Sequence, residues 1–398
     1  MSTWYSPAMS MGFSPHFARR VRGIVQSDIR RMSRECERVG GINLGQGICD
    51  QPTPDAIKAA SIEAIRADRN IYSKFEGIDE LRQKIAGKMA SYNGISCDPA
   101  TDVIVTVGST GGFAIACMAL IDPGDEAVVF SPFYSYHVNI LKLCGANVRF
   151  VTMRPPSWEF DPAELASAFG SRTRMVVVNT PSNPSGKVFT RQELDLVASH
   201  CQKWGAIAVT DEIYEYILYD GHKHVSLGSI PGMEERTITL SGFSKTYSMT
   251  GWRLGYAVAS ATLSARLGVV NDLLYICAPT PLQHGVTAAF SLPPSYYDDL
   301  QASYAARLAA LTEACEAAGL NVIRPQGAYY MLADVSRLGF DSDQKASAHL
   351  LASAGVTSVP GSSFYAEPAD GRSQVRFCFA KKPAELDEAC RRLRALPR

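Results

Sequence analysis

Residues 175–214 read MVVVNTPSNPSGKVFTRQELDLVASHCQKWGAIAVTDEIY, and this stretch decides the fold. It opens with a β-rich run, 175–179, and the Asn-Pro and Ser-Gly steps that follow mark a tight loop. Thr190 and Glu193 then form a capping box, the start signal for a helix over 191–204. A second β-rich run, 207–210, ends at Asp211. Strand, helix and strand in that order make a βαβ unit, which calls for a mostly parallel sheet. Working outward, 103–107, 127–130, 148–152, 237–240 and 254–259 read as further strands bounded by Gly, Pro, Asp or Asn, and 113–120 as a helix. The expected fold class is therefore α/β, with a mostly parallel seven-stranded sheet sandwiched by helices.

The rhythm changes after Pro293 and Pro294. A long helix rich in Ala and Leu, 296–319, is followed by short strands near 329–333 and 375–379, the pattern of a smaller α+β domain. The first 50 residues lack βαβ rhythm and are expected to pack with this C-terminal part, which makes the small domain discontinuous. The expected division is an N-terminal segment over 1–50, a large domain over 51–295 and a small domain over 296–398. No internal repeat or low-complexity tract is visible.

Lys plus Arg equals Asp plus Glu at 39 each, so the chain carries no electrostatic footprint for nucleic acid or an anionic membrane. Its longest apolar runs fall short of the ~20 residues a membrane helix needs. The start of the chain, with Trp4, Tyr5, Pro7 and Pro15, lacks a basic segment, apolar core and small-residue cleavage site, so a cytoplasmic location is expected. Ten dispersed cysteines, none in a C-x-x-C pair, suggest neither a disulfide framework nor a metal site. Small-molecule chemistry is the better expectation.

The densest chemical signal is Ser241-Gly-Phe-Ser-Lys245-Thr-Tyr-Ser-Met-Thr-Gly-Trp-Arg253, which begins where strand 237–240 ends. Ligand sites of open α/β sheets lie at such carboxyl ends. A lysine among hydroxyls, with an arginine eight residues on, has the parts to form an imine with an aldehyde cofactor and to bind its phosphate. Taken alone, a Lys and an Arg at a strand end more often lie on the surface. Gly108-Ser109-Thr110-Gly111-Gly112 joins a strand to an apolar helix, where backbone N–H groups can cradle a phosphate. A dinucleotide fingerprint is excluded, because Gly45-x-Gly47 is followed by Asp50 where the third glycine belongs.

These motifs stand in an order that resembles the class I/II aminotransferases, pyridoxal-phosphate enzymes of fold type I, and the resemblance spans Gly45 to Arg376. It implies pyridoxal 5'-phosphate held by Lys245 as an imine. Asp211 takes the role of the carboxylate that pairs with the pyridine nitrogen, and Tyr214 that of the tyrosine bonded to the cofactor's phenolic oxygen. Asn183 donates to the same oxygen and lies beside the substrate carboxylate. The phosphate falls to Ser109, Thr110, Gly111, Ser241, Arg253 and Tyr72 of the partner subunit, which implies a homodimer. Tyr134 matches the aromatic that stacks on the ring. Arg376, with its planar fork, matches the arginine that binds the substrate α-carboxylate, and Gly47 the glycine whose backbone approaches it. Lys245, Asp211 and Tyr214 are the catalytic candidates.

The implied activity is transfer of an amino group from an L-amino acid to a 2-oxo acid in a ping-pong sequence. A β-lyase or related elimination or cyclisation enzyme uses the same parts, and an inactive cofactor-binding regulator is a further alternative. This chain departs from the family pattern at Ile48-Cys49-Asp50-Gln51, which borders the substrate entrance, and at Cys277, where some relatives carry a histidine. No second Arg or Lys for a distal carboxylate can be identified, so a neutral or aromatic donor is favoured over aspartate. His137, His200 and His284 are expected to have packing or surface roles.

Overall fold

The computed structural model describes residues 16–22, 24 and 27–396. The stretch containing Trp4, Tyr5, Pro7 and Pro15 lies outside the described residues. The strands of the large sheet are β2 (Val103–Thr106), β3 (Glu126–Ser131), β4 (Asn147–Arg154), β5 (Glu159–Phe160), β6 (Thr173–Asn179), β7 (Ile207–Asp211), β8 (Thr237–Gly242) and β9 (Gly255–Val258), while β1 (Ile42–Asn43) lies elsewhere. Their order is β2-β9-β8-β7-β6-β3-β4-β5. The pairs from β4 through β3, β6 and β7 to β8 are parallel, and β9 runs antiparallel to both β8 and β2. The expected seven strands are all present. An eighth, β5, adds two residues antiparallel to β4, too short for alternation to reveal.

The central strands are buried on both faces, as parallel strands under helices must be. Met175, Val177 and Val209 face one layer, made by α4 (Gly108–Leu120), α5 (Ser135–Leu143) and α8 (Ala261–Tyr275). Val176, Val178 and Ala208 face the other, made by α6 (Pro162–Ala168) and α7 (Arg191–Trp204). The start of α7 follows from chemistry local to the sequence: Thr190 Oγ1 accepts from the Glu193 amide at 3.2 Å, and the Glu193 carboxylate accepts from the Thr190 amide at 2.8 Å. Helices α2 (Asp55–Arg66), α3 (Asp79–Lys88) and α9 (Thr280–Thr287) close the β2 edge.

A second sheet, antiparallel and ordered β10-β11-β14-β13, is built from β10 (Asn321–Ile323), β11 (Tyr330–Asp334), β13 (Val359–Pro360) and β14 (Gln374–Cys378). Helix α10 (Ser295–Ala317) covers it with Tyr304, Leu308 and Leu311, beside α11 (Asp343–Ala354) and α12 (Pro383–Arg394). From the start of the chain, β1 pairs in parallel with β12 (Val356–Thr357), and α1 (Asp28–Val39) packs Met32 and Cys36 against Leu351. Among the described residues no helix is long and apolar enough to cross a membrane.

Candidate active site

The carboxyl ends of β6, β7 and β8, the first turn of α4 and strand β14 converge on one cavity of about 450 Å³. Asn179, Asp211 and Lys245 reach it from the ends of the three parallel strands, Ser109 and Thr110 from α4, and Arg376 from β14. A volume in the range of roughly 300–1,000 Å³ suits a cofactor-sized ligand. Lys245 is half-buried; its Nζ donates to the Gly47 carbonyl at 3.3 Å and lies 5.4 and 5.9 Å from the ring centres of Tyr329 and Tyr214.

Asp211 is buried at the cavity floor. Its Oδ1 accepts from the Ile213 amide at 3.3 Å, and its Oδ2 lies 3.1 Å from His137 Nε2. The Asn179 amide anchors the Asp211 carbonyl at 2.9 Å. His137 is thus a partner of the site, not the packing residue the sequence suggested. The tyrosines around it are stacked: Tyr134 lies parallel to Tyr136 at 5.0 Å and meets His137 edge-on at 5.3 Å. Burial, reinforced by Tyr330, holds the Tyr214 phenol well above its ordinary pKa, so Tyr214 keeps its proton and donates to the Tyr330 hydroxyl at 3.4 Å.

Arg376 is 0% exposed, yet no carboxylate among the described residues pairs with it. Its Nη1 donates to Asn183 Oδ1 at 2.8 Å and its Nη2 to the Gly45 carbonyl at 2.5 Å, while its Nε has no partner. The guanidinium is sandwiched by the rings of Tyr330 and Phe364, 4.3 and 4.7 Å from its carbon. A buried cation without a counter-charge costs free energy that an incoming anion recovers. Gly47 must be glycine here, because a Cβ would fall 1.7 Å from the Tyr330 hydroxyl oxygen.

The opposite end of the cavity is suited to a phosphate. Helix α4 begins at Gly108, a turn earlier than the apolar pattern suggested, so the free N–H groups of its first turn belong to residues 108–111. Arg253, in the left-handed region at φ 56°, comes so close that a Cβ on Gly108 would lie 2.4 Å from its Nη2. Two expected phosphate residues do not line this wall. Ser241 is buried and donates its hydroxyl to Glu215 at 2.7 Å, on the far side of the strand end, while Ser244 faces the cavity in its place. Gly111 lies buried within α4 and does not line the cavity. Tyr72 is 75% exposed and is not on the cavity of its own chain.

Behind the turn that carries Asp211 and Tyr214 lies a buried polar group. Glu212 and Glu215 point into it with His224, their ligand atoms within 4.8 Å of one another. These groups are already engaged: Lys88 Nζ donates to Glu215 at 2.5 Å, Asn93 to both carboxylates, and Ser226 to Glu212 at 2.6 Å. At the entrance, Ile48 lines the cavity while the neighbouring Cys49 turns inward. Burial pushes the Cys49 thiol pKa up against the attraction of Lys245. Sequence reasoning also missed Tyr330, Ile29 and Arg30 on the wall, because none belongs to a recognisable motif. The cavity is strongly cationic: Arg30, Lys245, Arg253 and Arg376 line it, and Asp211 is its only acid among the described residues.

Residues 39–393 match the family model described as aminotransferase class I and II. The chain is 33% identical over 410 residues to kynurenine–oxoglutarate transaminase 1 of Homo sapiens, covering 95% of this chain and 97% of that protein. Among solved structures, the N-succinyldiaminopimelate aminotransferase of Mycobacterium tuberculosis superimposes with a TM-score of 0.92 at 33% identity, covering 96% of this chain and 100% of that one. YbdL of Escherichia coli, described as having a methionine aminotransferase function, gives 0.91 at 30% identity with coverage of 96% and 100%.

Proposed function

Because the chain belongs to the class I and II aminotransferases, we propose that it binds pyridoxal 5'-phosphate on Lys245 and passes an amino group from an L-amino acid to a 2-oxo acid in a ping-pong sequence. One observation carries this reading. Lys245, an amine, and Arg376, a buried guanidinium without a carboxylate of its own, open on the same cavity, with Asp211 at its floor. The donor set fits the cofactor. Arg253 and the amide groups at the start of α4 suit a phosphate, and Asp211 suits the ring's N–H. Asn183 gives its amide oxygen to Arg376, which leaves its NH2 free to donate to the phenolic oxygen beside Tyr214.

Bound there, pyridoxal phosphate supplies an aldehyde for imine formation and a protonated ring that accepts the electron pair of a broken Cα–H bond. The protein's own part is positional and acid–base. Arg376 grips the α-carboxylate as a bidentate fork and so fixes the direction of the Cα–H bond. Lys245, freed by the incoming amine, takes the Cα proton on Nζ and holds it for return. His137 and the Ile213 amide hold the two carboxylate oxygens of Asp211 in place against the ring. The Tyr134 ring covers the cofactor face.

The reading extends to a homodimer. Ile71, Tyr72 and Leu273 are 77%, 75% and 80% exposed, and Phe75 packs against Gly268 of α8, so apolar side chains from the 71–75 segment and α8 lie on one face. A second copy covering that face brings Tyr72 to its neighbour's phosphate. Sedimentation is expected to give a dimer, and a fully active monomer contradicts this. The reaction itself is tested by supplying amino acids with and without a 2-oxo acid. Transamination needs both for turnover; ammonia release from the amino acid alone is the outcome that rejects it in favour of elimination.

A further inference from the structure

We propose that Glu215 is a positioning residue for the proton-transfer step: through the hydroxyl of Ser241 it clamps the loop that carries Lys245 to the turn that carries Asp211 and Tyr214. This rests on the aminotransferase reading above and adds to it a part for two buried side chains that do not line the cavity. The resemblance put Ser241 on the phosphate; the structure turns its hydroxyl to Glu215 instead.

The need for such a clamp follows from the topology. Strands β7 and β8 pair in parallel as far as Asp211 and Leu240, and the Glu212 amide adds one more bond, to the Leu240 carbonyl at 2.8 Å. Beyond it the two segments part: one turns back through Tyr214, and the other runs on to Lys245. Lys245 Nζ lies 5.9 Å from the centre of the Tyr214 ring, so the placement of one segment against the other sets where the amine stands. Ser241 Oγ spans the gap. It donates to Glu215 Oε1 at 2.7 Å and lies 3.5 Å from the Glu212 carbonyl oxygen. On the carboxyl side of Lys245 the loop has ties of its own: the Tyr296 hydroxyl donates to the Thr246 carbonyl at 2.7 Å, and Thr53 to the Ser248 carbonyl at 3.0 Å. On the amino side the tie is Ser241.

Glu215 is held so that it can act as a fixed point. It is 2% exposed; its Oε2 accepts from Lys88 Nζ at 2.5 Å and from Asn93 at 2.9 Å, and its carbonyl accepts from the Tyr92 hydroxyl at 2.7 Å. Burial opposes its charge, and Lys88, His224 and Asn93 outweigh burial, so the carboxylate stays ionised and only accepts. The hydrogen bond from Ser241 is therefore charge-assisted. Lys88 in turn lies over the rings of Tyr92, Tyr216 and Tyr256, at 5.1, 5.4 and 5.9 Å. A buried ion pair of this kind adds little stability over apolar packing of the same volume; what it provides here is one fixed arrangement.

The test compares the wild-type holoenzyme with Ser241→Ala, which deletes the clamp, and Ser241→Cys, which keeps the volume with only a weak donor. Each is mixed, in single turnover, with whichever common amino acid bleaches the wild-type cofactor band fastest, carrying hydrogen or deuterium at Cα. In both variants the rate is expected to fall roughly 10- to 100-fold, the effect of a misplacement approaching about 1 Å at the reacting atoms. The isotope effect should be at least as large as that of the wild type. A second readout is independent of turnover: the apoenzyme is titrated with pyridoxal 5'-phosphate and with pyridoxal, which has no phosphate, and the preference for the phosphorylated form should be unchanged in both variants. A preference that falls in Ser241→Ala makes Ser241 a phosphate ligand and overturns the assignment. An unchanged rate, a lost isotope effect or full recovery in Ser241→Cys overturns it too. A wild-type cofactor that reacts with no amino acid overturns the underlying reading instead. Folding of the variants is checked by cofactor absorbance matching that of the wild type.

Discussion

His137 Nε2 lies 3.1 Å from Asp211 Oδ2, both side chains buried, and this contact fixes the carboxylate at the floor of the cavity. The histidine stands on the first turn of α5, three residues after Tyr134, so one short segment supplies both the aromatic face and the support for Asp211.

Replacing His137 with Leu therefore leaves Asp211 with one hydrogen bond fewer and an apolar neighbour. Pyridoxal phosphate affinity is expected to fall roughly 10-fold or more, the worth of a hydrogen bond to a charged group. His137→Gln, which can still donate, should recover most of it. Cofactor titration by absorbance measures this, and equal affinity in His137→Leu contradicts a supporting role.

Tyr214 holds its proton because burial and Tyr330 push its pKa up, so it is a donor throughout the working pH range. A donor to the cofactor's phenolic oxygen stabilises negative charge there and weakens that oxygen's hold on the imine proton. Tyr214→Phe removes the donor, and the pH midpoint of the bound cofactor's absorbance change should move up by roughly one to two units. A midpoint that stays or moves down contradicts the contact.

Burial alone would raise the Glu215 pKa, but the charges of Lys88 and His224 and the hydrogen bonds from Lys88 and Asn93 together bring it below the usual glutamate range. A depressed carboxyl stabilises the fold above the unfolded pKa of about 4.3, and that stability is lost as pH falls through the lower folded value. Lys88→Met leaves the buried Glu215 without its ammonium partner, at a cost of roughly 3–5 kcal/mol near pH 7. The carboxyl then titrates upward, so the deficit against wild type should shrink as pH falls from 7 towards 4.3. Denaturant melts across that range report it; a deficit independent of pH contradicts the account.

The parts of the fold legible in the sequence are those that local chemistry determines. β6, α7 and β7 are announced by buried Val runs, the Thr190–Glu193 capping box and the left-handed Gly205 that ends the helix at φ 69°. β5, β12 and β13 are two residues each, and only their partners make them strands. The start of α4 misleads for a similar reason: its first five residues include three glycines, poor helix formers by themselves, and are held by contacts to Arg253 and β9. At the site, Lys245, Asp211, Arg253 and Arg376 are visible because each lies in an extended motif. Ser241 misleads because a strand turns alternate residues to opposite sides, and at the end of β8 it faces Glu215. His137 is hidden because the residue it serves is far away in the chain, 74 positions for the His137–Asp211 pair.

The central claim is that Lys245 carries the cofactor. Borohydride reduction of the enzyme loaded with pyridoxal phosphate, followed by peptide mass spectrometry, should place the label on Lys245, and Lys245→Ala should show neither label nor turnover. Label on another lysine, or a Lys245→Ala enzyme that still turns over amino acids, would contradict it.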